Sequence, residues 1–544
     1  MKIKNISIKL NSNLINFIVL FSLLLFTIEI FIRQFTGLTE NILWHKYGLI
    51  TVILGLLLYY STKFFKIIII LFLMFSLLIQ ASYSSLYGSW ITSSDLYLLF
   101  AELPEVIRLA SQFDAWTLVK LISFLSISII LSLLAYSKAK QSKGNIWVNW
   151  IVVFFFLFQP IKFSILSPEK IEKLFVQDTH SLLKSSYRAY EATISLAMSN
   201  ILGNHIYKYY QHAPHTVKTD QTAVKPNIFI YFGESLSSKY MGTFNYSKNT
   251  TPLINKLINS KLFSLSKETI SGAVYTRPSS TLFFHLIPEP DARKQAASFN
   301  TNLFKYAKES GYNTTYLSTQ AENGITTIAK LISGKYADHY LFNSNFDKKY
   351  KDGETDSLDE SSLEGLQKLK STQPFFTVFQ ASGSHIPFSE KSPESFKKFG
   401  KNSKLSEYEN SVLYADTIIN NLVSYTEKQS HDRPWVFIIT ADHGTYVDDS
   451  RTTRSFNYPA SYTVPGIIFT NDEKIFNLYL APYKKCSILF HNNIANITAR
   501  ILGRIVKKNN CNQGILLKGL LSGTHAKSIN IDKNLGVIMK PYEQ

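Results

Sequence analysis

A small set of acidic, histidine and threonine residues carries the chemistry that this sequence could support. Asp442 and His443 are adjacent and precede Gly444, which suits a tight turn that aims both side chains at one point, and Glu234 lies in a Gly-Glu-Ser triplet. A set of carboxylate oxygens and an imidazole nitrogen fits Zn²⁺, or alternatively Mn²⁺, better than it fits a thiolate metal site. We therefore predict that Glu234, Asp442 and His443 bind metal, although each motif alone is also compatible with a loop turn.

Thr276 is the candidate nucleophile, in a Thr-Arg-Pro-Ser segment. A hydroxyl is a weak nucleophile at neutral pH unless a metal ion or a base lowers the cost of removing its proton. Pro278 favours a helix start here, Gly272 permits a turn before it, and helix amino termini attract phosphoryl groups. We predict that Thr276 is both a metal ligand and the nucleophile, but the segment alone fits an ordinary capped helix equally well.

Short apolar segments of strand length precede these polar residues, with helix-length sequence between them. This alternation predicts an α/β domain with a mostly parallel sheet, in which active sites collect at the carboxyl ends of the strands. Glu234 follows the first strand, His385 follows the third and Asp442 follows the fourth. The predicted strands are Asn227–Phe232, Tyr312–Leu317, Phe375–Gln380, Trp435–Thr440 and Val464–Thr470.

The amino-terminal part of the chain is much more apolar than the rest. A helix that spans a bilayer needs about 20 mainly apolar residues, and five segments come near this length: 14–32, 47–61, 65–83, 117–136 and 147–166. Lysines before the first span, between the second and third, and between the fourth and fifth all lie on one side. The positive-inside bias therefore predicts a cytoplasmic amino terminus and an outer location for everything after residue 166.

Three regions follow from these patterns. Residues 1–166 are predicted to form a five-helix transmembrane domain, residues 167–220 to form interfacial or bridging helices with a linker, and residues 221–544 to form the catalytic domain. A connector without a role in chemistry is an alternative interpretation of the middle region. The loop from Leu86 to Ala115, with Trp90, Thr92, Asp95, Glu102 and Glu105, could contact a lipid headgroup or be a solvated outer loop.

The formal net charge of +18 would suggest nucleic-acid binding in a soluble protein. No RNP, zinc-finger or helix-turn-helix pattern accompanies it, and basic residues near anionic lipid headgroups explain the excess, so we predict contact with membrane lipids and no nucleic acid. A monomer is expected. The two cysteines, Cys486 and Cys511, lie in the outer region, where a disulfide could persist, but two free thiols are an open alternative.

Four motifs taken together resemble the alkaline-phosphatase/sulfatase superfamily, and the five spans before them resemble the phosphoethanolamine transferases of Gram-negative inner membranes. That group modifies lipid A, lipopolysaccharide core and periplasmic glucans. The motifs are Phe232-Gly233-Glu234-Ser235, Ser271-Gly272 with Thr276, Gly383-Ser384-His385 and Ala441-Asp442-His443-Gly444.

The resemblance implies a role for each matching residue. Glu234, Asp442 and His443 correspond to zinc ligands, Thr276 to a ligand that becomes covalently substituted, and His385 to a substrate-binding histidine. It also implies phosphatidylethanolamine as the donor, and lipopolysaccharide, lipid A or a periplasmic glycan as the acceptor.

The sequence departs from the family in two places. The family has a second histidine after its Asp-His-Gly motif, whereas no histidine occurs from Thr445 to Pro465, where Arg451, Arg454 or Tyr458 could contact phosphate instead. The multiple cysteines that staple many lipid A-directed members are also missing, which favours a different acceptor within the group. Two alternatives follow: an enzyme resembling lipoteichoic acid synthases that transfers glycerophosphate from phosphatidylglycerol, and a membrane scaffold without catalysis.

Overall fold

The chain forms two compact units, residues 1–208 and 209–544, which are described separately. The structure, a computed structural model, describes residues 12–36, 42–87, 90–91, 96, 115–139, 144–166, 181–202, 218–219, 225–287, 299–346, 349, 355–369, 373–454, 456–506, 511–517, 527–531 and 537–541. In the loop from Leu86 to Ala115, Thr92, Asp95, Glu102 and Glu105 lie outside the described residues. Some of the lysines on which the predicted membrane orientation rests also lie outside them, namely Lys2, Lys4, Lys9, Lys140 and Lys143.

The first unit is helical, and each predicted span coincides with a helix. The helices are α1 (Ser12–Thr36), α2 (Trp44–Tyr60), α3 (Lys63–Tyr87), α4 (Ala115–Ala139), α5 (Ile146–Ile161, continued by a π-helical turn Lys162–Leu166) and α6 (Leu182–Ile201). Among the described residues, Ser12–Gln34, Lys63–Ser84 and Ile146–Leu166 are long and apolar enough to cross a membrane. Helix α2, with 17 residues, is shorter than a typical span.

The first unit has its own apolar core, while other large apolar side chains face outward. Phe21, Leu58 and Ile69 are buried between helices, whereas Leu20 and Trp150 are exposed. Apolar side chains on the outside of a helix bundle suit a lipid environment. Helix α6 belongs to this compact unit, and the predicted boundaries at residues 166 and 220 stay predictions.

The second unit is built on an eight-stranded sheet. Its strands are β1 (Asn227–Gly233), β2 (Phe263–Ile270), β3 (Asn313–Ser318), β4 (His339–Phe342), β5 (Phe375–Gln380), β6 (Trp435–Ala441), β7 (Thr463–Thr470) and β8 (Leu489–Phe490). The order across the sheet is β8-β2-β7-β6-β1-β5-β3-β4. Only β7 runs antiparallel to its neighbours, β6 and β2, so the predicted mostly parallel sheet is confirmed.

Helices cover both faces of this sheet. All seven residues of β1 are buried; Ile228 and Ile230 belong to one apolar core and Phe229 to the other. A strand buried on both faces explains the continuous apolar run that made β1 recognisable in the sequence. Among the described residues, the α-helices of this unit longer than four residues are α7 (Pro252–Ile258), α8 (Thr276–Phe284), α9 (Leu303–Glu309), α10 (Glu322–Ser333), α11 (Ser362–Gln367), α12 (Lys404–Ser430) and α13 (His491–Ile501).

Smaller elements complete the second unit. Cys486 and Cys511 form a disulfide with a Cα–Cα distance of 6.0 Å, which resolves the alternative left open by the sequence. The remaining strands are a hairpin of Tyr446–Val447 and Thr452–Thr453, a pair of Lys218–Thr219 and Arg504–Ile505, and a three-stranded sheet of Gln513–Leu516, Lys527–Ile531 and Val537–Pro541.

Candidate metal centre and nucleophile

Strand register brings two of the predicted acidic residues together. In the parallel pair of β1 and β6, Gly233 is opposite Ala441, and the Asp442 N–H donates to the Gly233 carbonyl oxygen at 2.9 Å. Glu234 and Asp442 are the next residues on the two chains. They therefore leave neighbouring strands at the same edge of the sheet, as the sequence predicted.

Glu234, Asp442 and His443 form a buried cluster. One ligand atom from each lies within 4.8 Å of the others, and their side chains are 4%, 0% and 0% exposed. His443 Nε2 is 3.3 Å from Asp442 Oδ2 and 3.7 Å from Glu234 Oε1. Two carboxylates and an imidazole this close, shielded from water, are spaced as ligands around one small cation.

Thr276 is the first residue of α8 and completes the cluster. Its Oγ1 lies 3.4 Å from His443 Nε2 and 3.5 Å from each carboxylate oxygen of Glu234. The residue before it, Tyr275, makes no side-chain cap to this helix. The hydroxyl and the positive end of the helix dipole therefore face the acidic cluster together, which suits an anionic phosphoryl group.

The hydrogen bonds around the cluster leave metal-binding atoms available. Asp442 Oδ1 accepts hydrogen bonds from the Ser235 and His443 N–H groups at 2.9 and 2.7 Å, whereas the buried Oδ2 accepts none from the described part of the chain. His443 Nδ1 is 2.8 Å from the Gly444 carbonyl oxygen, an acceptor, so Nδ1 carries the proton. The Nε2 lone pair is then directed at the cluster, as metal-binding histidines require.

Burial shifts the pKa values of all three residues in the direction that favours their neutral forms. Burial, followed by the Asp442 carboxylate, raises the pKa of Glu234 to about 7, and burial also raises the pKa of Asp442. Burial, followed by the Arg454 guanidinium, lowers the pKa of His443 to about 3. Two carboxylate charges in this space call for a compensating cation, and neutral His443 can ligate one.

Local backbone geometry explains how the turns fit. Ser235 adopts a left-handed conformation with φ 57°, which turns the chain sharply after Glu234 and points its N–H at Asp442. Gly444 is needed for space, because a Cβ atom there would lie 2.1 Å from the Ala460 carbonyl oxygen. Gly272 is also needed for space, since a Cβ atom would lie 2.7 Å from Leu282 on α8. The two glycines thus permit close packing and adopt no positive φ.

Three supporting residues were missed by the sequence analysis. Gln320, two residues after β3, donates from its amide nitrogen to Glu234 Oε2 at 3.3 Å and to the Ala381 carbonyl oxygen at 2.8 Å. Ser279 on α8 donates to the Asp442 carbonyl oxygen, and its Oγ is 3.2 Å from His491 Nδ1. Gln320 follows a predicted strand and could have been found by that position, whereas nothing in the sequence relates His491 to Thr276.

His385 is not one of the residues of the metal-binding cluster Glu234, Asp442 and His443. It is half-buried in the turn after β5, next to the buried ion pair of Lys391 and Asp356. Burial alone would raise the pKa of Asp356, but the Lys391 ammonium group and then His385 hold it at about 2. Asp356 also accepts a hydrogen bond from the Ala321 N–H, next to Gln320. The substrate-binding role of His385 stays a prediction.

The three candidates for a phosphate contact after the Asp-His-Gly motif occupy different places. Arg454 donates from Nη2 to Ser235 Oγ at 3.2 Å and lies 4.0 Å from Glu234 Oε1. Arg451 pairs with Asp448 at 2.9 Å and donates to the Tyr458 hydroxyl at 3.3 Å. Of the three, Arg454 is therefore the one that reaches the acidic cluster.

Comparison with known proteins shows what the α/β domain is similar to. Residues 226–476 match the family model described as Sulfatase. The Kdo(2)-lipid A phosphoethanolamine 7''-transferase of Escherichia coli is 23% identical over 297 residues, which cover 51% of this chain and 49% of that protein. Phosphoethanolamine transferase EptA of Helicobacter pylori is 24% identical over 267 residues, covering 45% of this chain and 48% of that protein.

A solved structure extends the likeness to the helical unit. The integral membrane protein lipooligosaccharide phosphoethanolamine transferase A (EptA) from Neisseria meningitidis matches with a TM-score of 0.57 at 14% identity, covering 90% of this chain and 95% of that one. This likeness shows a shared fold. The chain spans about half the length of the curated relatives it matches. Together the matches confirm the predicted resemblance: residues 226–476 match the Sulfatase family model, and apolar helices precede them.

Proposed function

We propose that this chain, with its sulfatase-family domain, is a membrane-bound, metal-dependent phosphoethanolamine transferase. The observation that carries the proposal is the position of Thr276 Oγ1, within 3.5 Å of both Glu234 carboxylate oxygens and of His443 Nε2. A hydroxyl beside a metal-binding set is placed to act as a nucleophile. The names of the curated relatives support phosphoethanolamine as the transferred group.

The chemistry of the ligand set supports a metal cofactor. Glu234, Thr276, Asp442 and His443 would hold Zn²⁺, with Mn²⁺ as the alternative, and Asp442 Oδ2 is a buried ligand atom that lacks another partner in the described structure. When bound, the metal would lower the cost of removing the Thr276 proton and would stabilise negative charge on the phosphoryl oxygens. Gln320 and the Ser235 N–H orient the two carboxylates.

Two displacements at phosphorus make up the proposed reaction. In the first, Thr276 Oγ1 attacks the phosphorus of phosphatidylethanolamine, the bond to the diacylglycerol oxygen breaks, and the threonine proton ends on the released diacylglycerol. In the second, a hydroxyl or phosphate oxygen of lipopolysaccharide, lipid A or a periplasmic glycan attacks the phosphorus of the adduct, the bond from phosphorus to Thr276 Oγ1 breaks, and the threonine oxygen takes up a proton, from the acceptor hydroxyl or from water. The amino terminus of α8 faces the phosphoryl group throughout and stabilises its negative charge.

The same proposal includes a location. We place the chain in the inner membrane as a monomer surrounded by membrane lipids, with a cytoplasmic amino terminus and a periplasmic catalytic domain. The apolar helices support membrane insertion. The Cys486–Cys511 disulfide supports an oxidising compartment for the second unit.

Release of diacylglycerol tests the proposed function. The metal-loaded full chain should release diacylglycerol from phosphatidylethanolamine and not from phosphatidylglycerol, and Thr276→Ala should abolish release while its metal content is measured in parallel. Release from phosphatidylglycerol alone would favour the glycerophosphate transferase. No release from either lipid by the metal-loaded wild type would contradict catalysis and favour the scaffold.

A further inference from the structure

Arg454 places a positive charge at the rim of the acidic cluster. Its guanidinium lies 4.0 Å from Glu234 Oε1, and its side chain is 23% exposed whereas that of Glu234 is 4% exposed. The arginine is therefore partly exposed to solvent, whereas the carboxylate that it approaches is buried. It follows the strand Thr452–Thr453 of the small hairpin.

Most of the donor capacity of Arg454 is uncommitted in the described structure. A guanidinium has five N–H donors, and the side chain makes one hydrogen bond there, from Nη2 to Ser235 Oγ at 3.2 Å. Ser235 Oγ in turn donates to Glu234 Oε1 at 3.0 Å. Ser235 thus holds the guanidinium in place next to the cluster, while the remaining donors can bind a further acceptor.

The charge of the site indicates which acceptor would bind. A divalent cation, two carboxylates and a neutral imidazole add up to a neutral set, and the guanidinium adds one positive charge. A phosphodiester carries one negative charge and has two non-bridging oxygens, which a guanidinium can bind with two parallel hydrogen bonds. A phosphoryl monoanion therefore matches both the charge and the donor geometry.

Arg451, three residues earlier, provides an internal comparison. Its guanidinium pairs with Asp448 at 2.9 Å, donates to Tyr458, and lies 5.8 and 5.7 Å from the centres of the Tyr446 and Tyr458 rings. The hairpin thus carries two arginines. Arg451 binds side chains of the hairpin and of the segment after it, whereas Arg454 reaches the ligand set.

We propose that Arg454 binds the non-bridging oxygens of the phosphoryl group, both in the donor lipid and in the Thr276 adduct. The identity of the transferred group rests on the proposed function, whereas the affinity for a phosphate anion can be tested independently of it. As a group that touches the phosphoryl oxygens, Arg454 is assigned as a binding residue for the substrate and as a stabiliser of charge that develops on it.

Binding of inorganic phosphate to the metal-loaded full chain tests this assignment. Arg454→Gln should weaken phosphate binding about 10- to 100-fold, Arg454→Lys should lose part of the affinity, and Arg451→Gln should bind phosphate like the wild type. Metal content should not fall in Arg454→Gln, because removing a cation next to the ligands leaves metal binding equal or stronger. Titration calorimetry and metal analysis on the same samples give both quantities.

The outcomes separate this inference from the proposed function. Phosphate binding that depends on Arg454, without diacylglycerol release from any lipid, would support the inference and contradict the proposed transfer. Three results would overturn the inference. The first is no phosphate binding by the metal-loaded wild type, and the second is an equal loss of phosphate affinity in Arg454→Gln and Arg451→Gln. The third is loss of metal from Arg454→Gln and Arg454→Lys with unchanged phosphate affinity in the metal-loaded fraction. The last result would show that Arg454 supports Glu234 only.

Discussion

Two of the sites where the α/β domain buries carboxylates, Asp416 and the Glu234–Asp442 pair, differ in how many hydrogen bonds the fold gives them. Asp416 on α12 is 1% exposed, and its two oxygens accept hydrogen bonds from the Leu253 and Ile254 N–H groups at 2.8 Å each. Asp442 is equally buried, yet its Oδ2 accepts no hydrogen bond within the described residues, and a second carboxylate, Glu234, lies next to it. The fold satisfies both oxygens of the first carboxylate by itself, whereas in the second pair it leaves Asp442 Oδ2 without a hydrogen bond among the described residues.

The contrast separates a structural acid from a functional one. The residue before α7, Thr251, makes no side-chain cap to the helix, so Asp416 supplies the cap from α12 and stabilises the start of α7. The Glu234–Asp442 pair has like charges close together in a buried space, which destabilises the protein unless a cation is bound. Such an arrangement is expected where function and stability make opposite demands.

Glu234→Gln should produce the largest effect. Removing this ligand is expected to lower transferase activity by on the order of 10³-fold or more. In the metal-free protein the same change should leave the free energy of unfolding equal or raise it by about 1 kcal/mol, because it removes one of two like charges. Lipid assays and denaturant unfolding with and without metal measure both. A large loss of stability in the metal-free variant would contradict a functional origin for the pair.

Gln320→Ala should have the next largest effect. Its amide holds Glu234 Oε2, so its loss is expected to lower metal affinity or activity about 10- to 100-fold, as for other residues that orient metal ligands. Metal titration and lipid assays on the same preparation provide the readouts. Wild-type values for both would show that the strand ends alone orient Glu234.

Asp416→Asn should show the opposite pattern from Glu234→Gln. The amide can replace only one of the two oxygen acceptors, so the free energy of unfolding is expected to fall by about 1 to 3 kcal/mol. Metal affinity should be unchanged, because Asp416 belongs to a different part of the domain. Denaturant unfolding and metal titration measure these effects. A change in metal affinity without a change in the free energy of unfolding would contradict the structural role assigned to Asp416.

A further prediction is a pH dependence of metal binding. Since burial raises the pKa of Glu234 to about 7, the metal-free carboxyl is mostly protonated at pH 6, and metal binding should release about one proton there. Apparent metal affinity should therefore rise between about pH 5 and 7 and then level off. Calorimetry in buffers with different ionisation enthalpies counts the protons, and uptake of protons on metal binding would have the wrong sign.

The contribution of Glu234 to the stability of the metal-free protein should fall as the pH rises, whereas the metal affinity should rise. The folded pKa lies above the ordinary value of 4.5, so the stability contributed by this carboxyl is present below about pH 4.5 and is lost as the pH rises through 7. In Glu234→Gln this part of the pH dependence should disappear.

The sequence predicted five of the eight strands of the large sheet, among them those that end at Glu234 and Asp442, and missed β2, β4 and β8. Strands β1, β5 and β6 are buried on both faces and appear as continuous apolar runs, so the ends that carry Glu234 and Asp442 could be located. Strand β2 alternates apolar and polar residues and is partly exposed, whereas β4 and β8 are only four and two residues long. A short strand is recognised only through its neighbours in the sheet, which the sequence does not give.

The supporting contacts could not be predicted because they depend on register and helix orientation. The sequence offered Arg451, Arg454 and Tyr458 on equal terms, and only the hairpin of Tyr446–Val447 with Thr452–Thr453 shows which one reaches Glu234. His491 approaches Ser279 because α13 packs near α8. Such contacts between distant segments have no periodicity that a single sequence reveals.

Intact-mass measurement after incubation of the metal-loaded chain with phosphatidylethanolamine, before any acceptor is added, tests the central claim most directly. The account predicts that the wild type gains the mass of one phosphoethanolamine group, that peptide mapping locates it at Thr276, and that Thr276→Ala gains nothing. A metal-loaded wild type that releases diacylglycerol without acquiring the group, or an equal gain in Thr276→Ala, would contradict it.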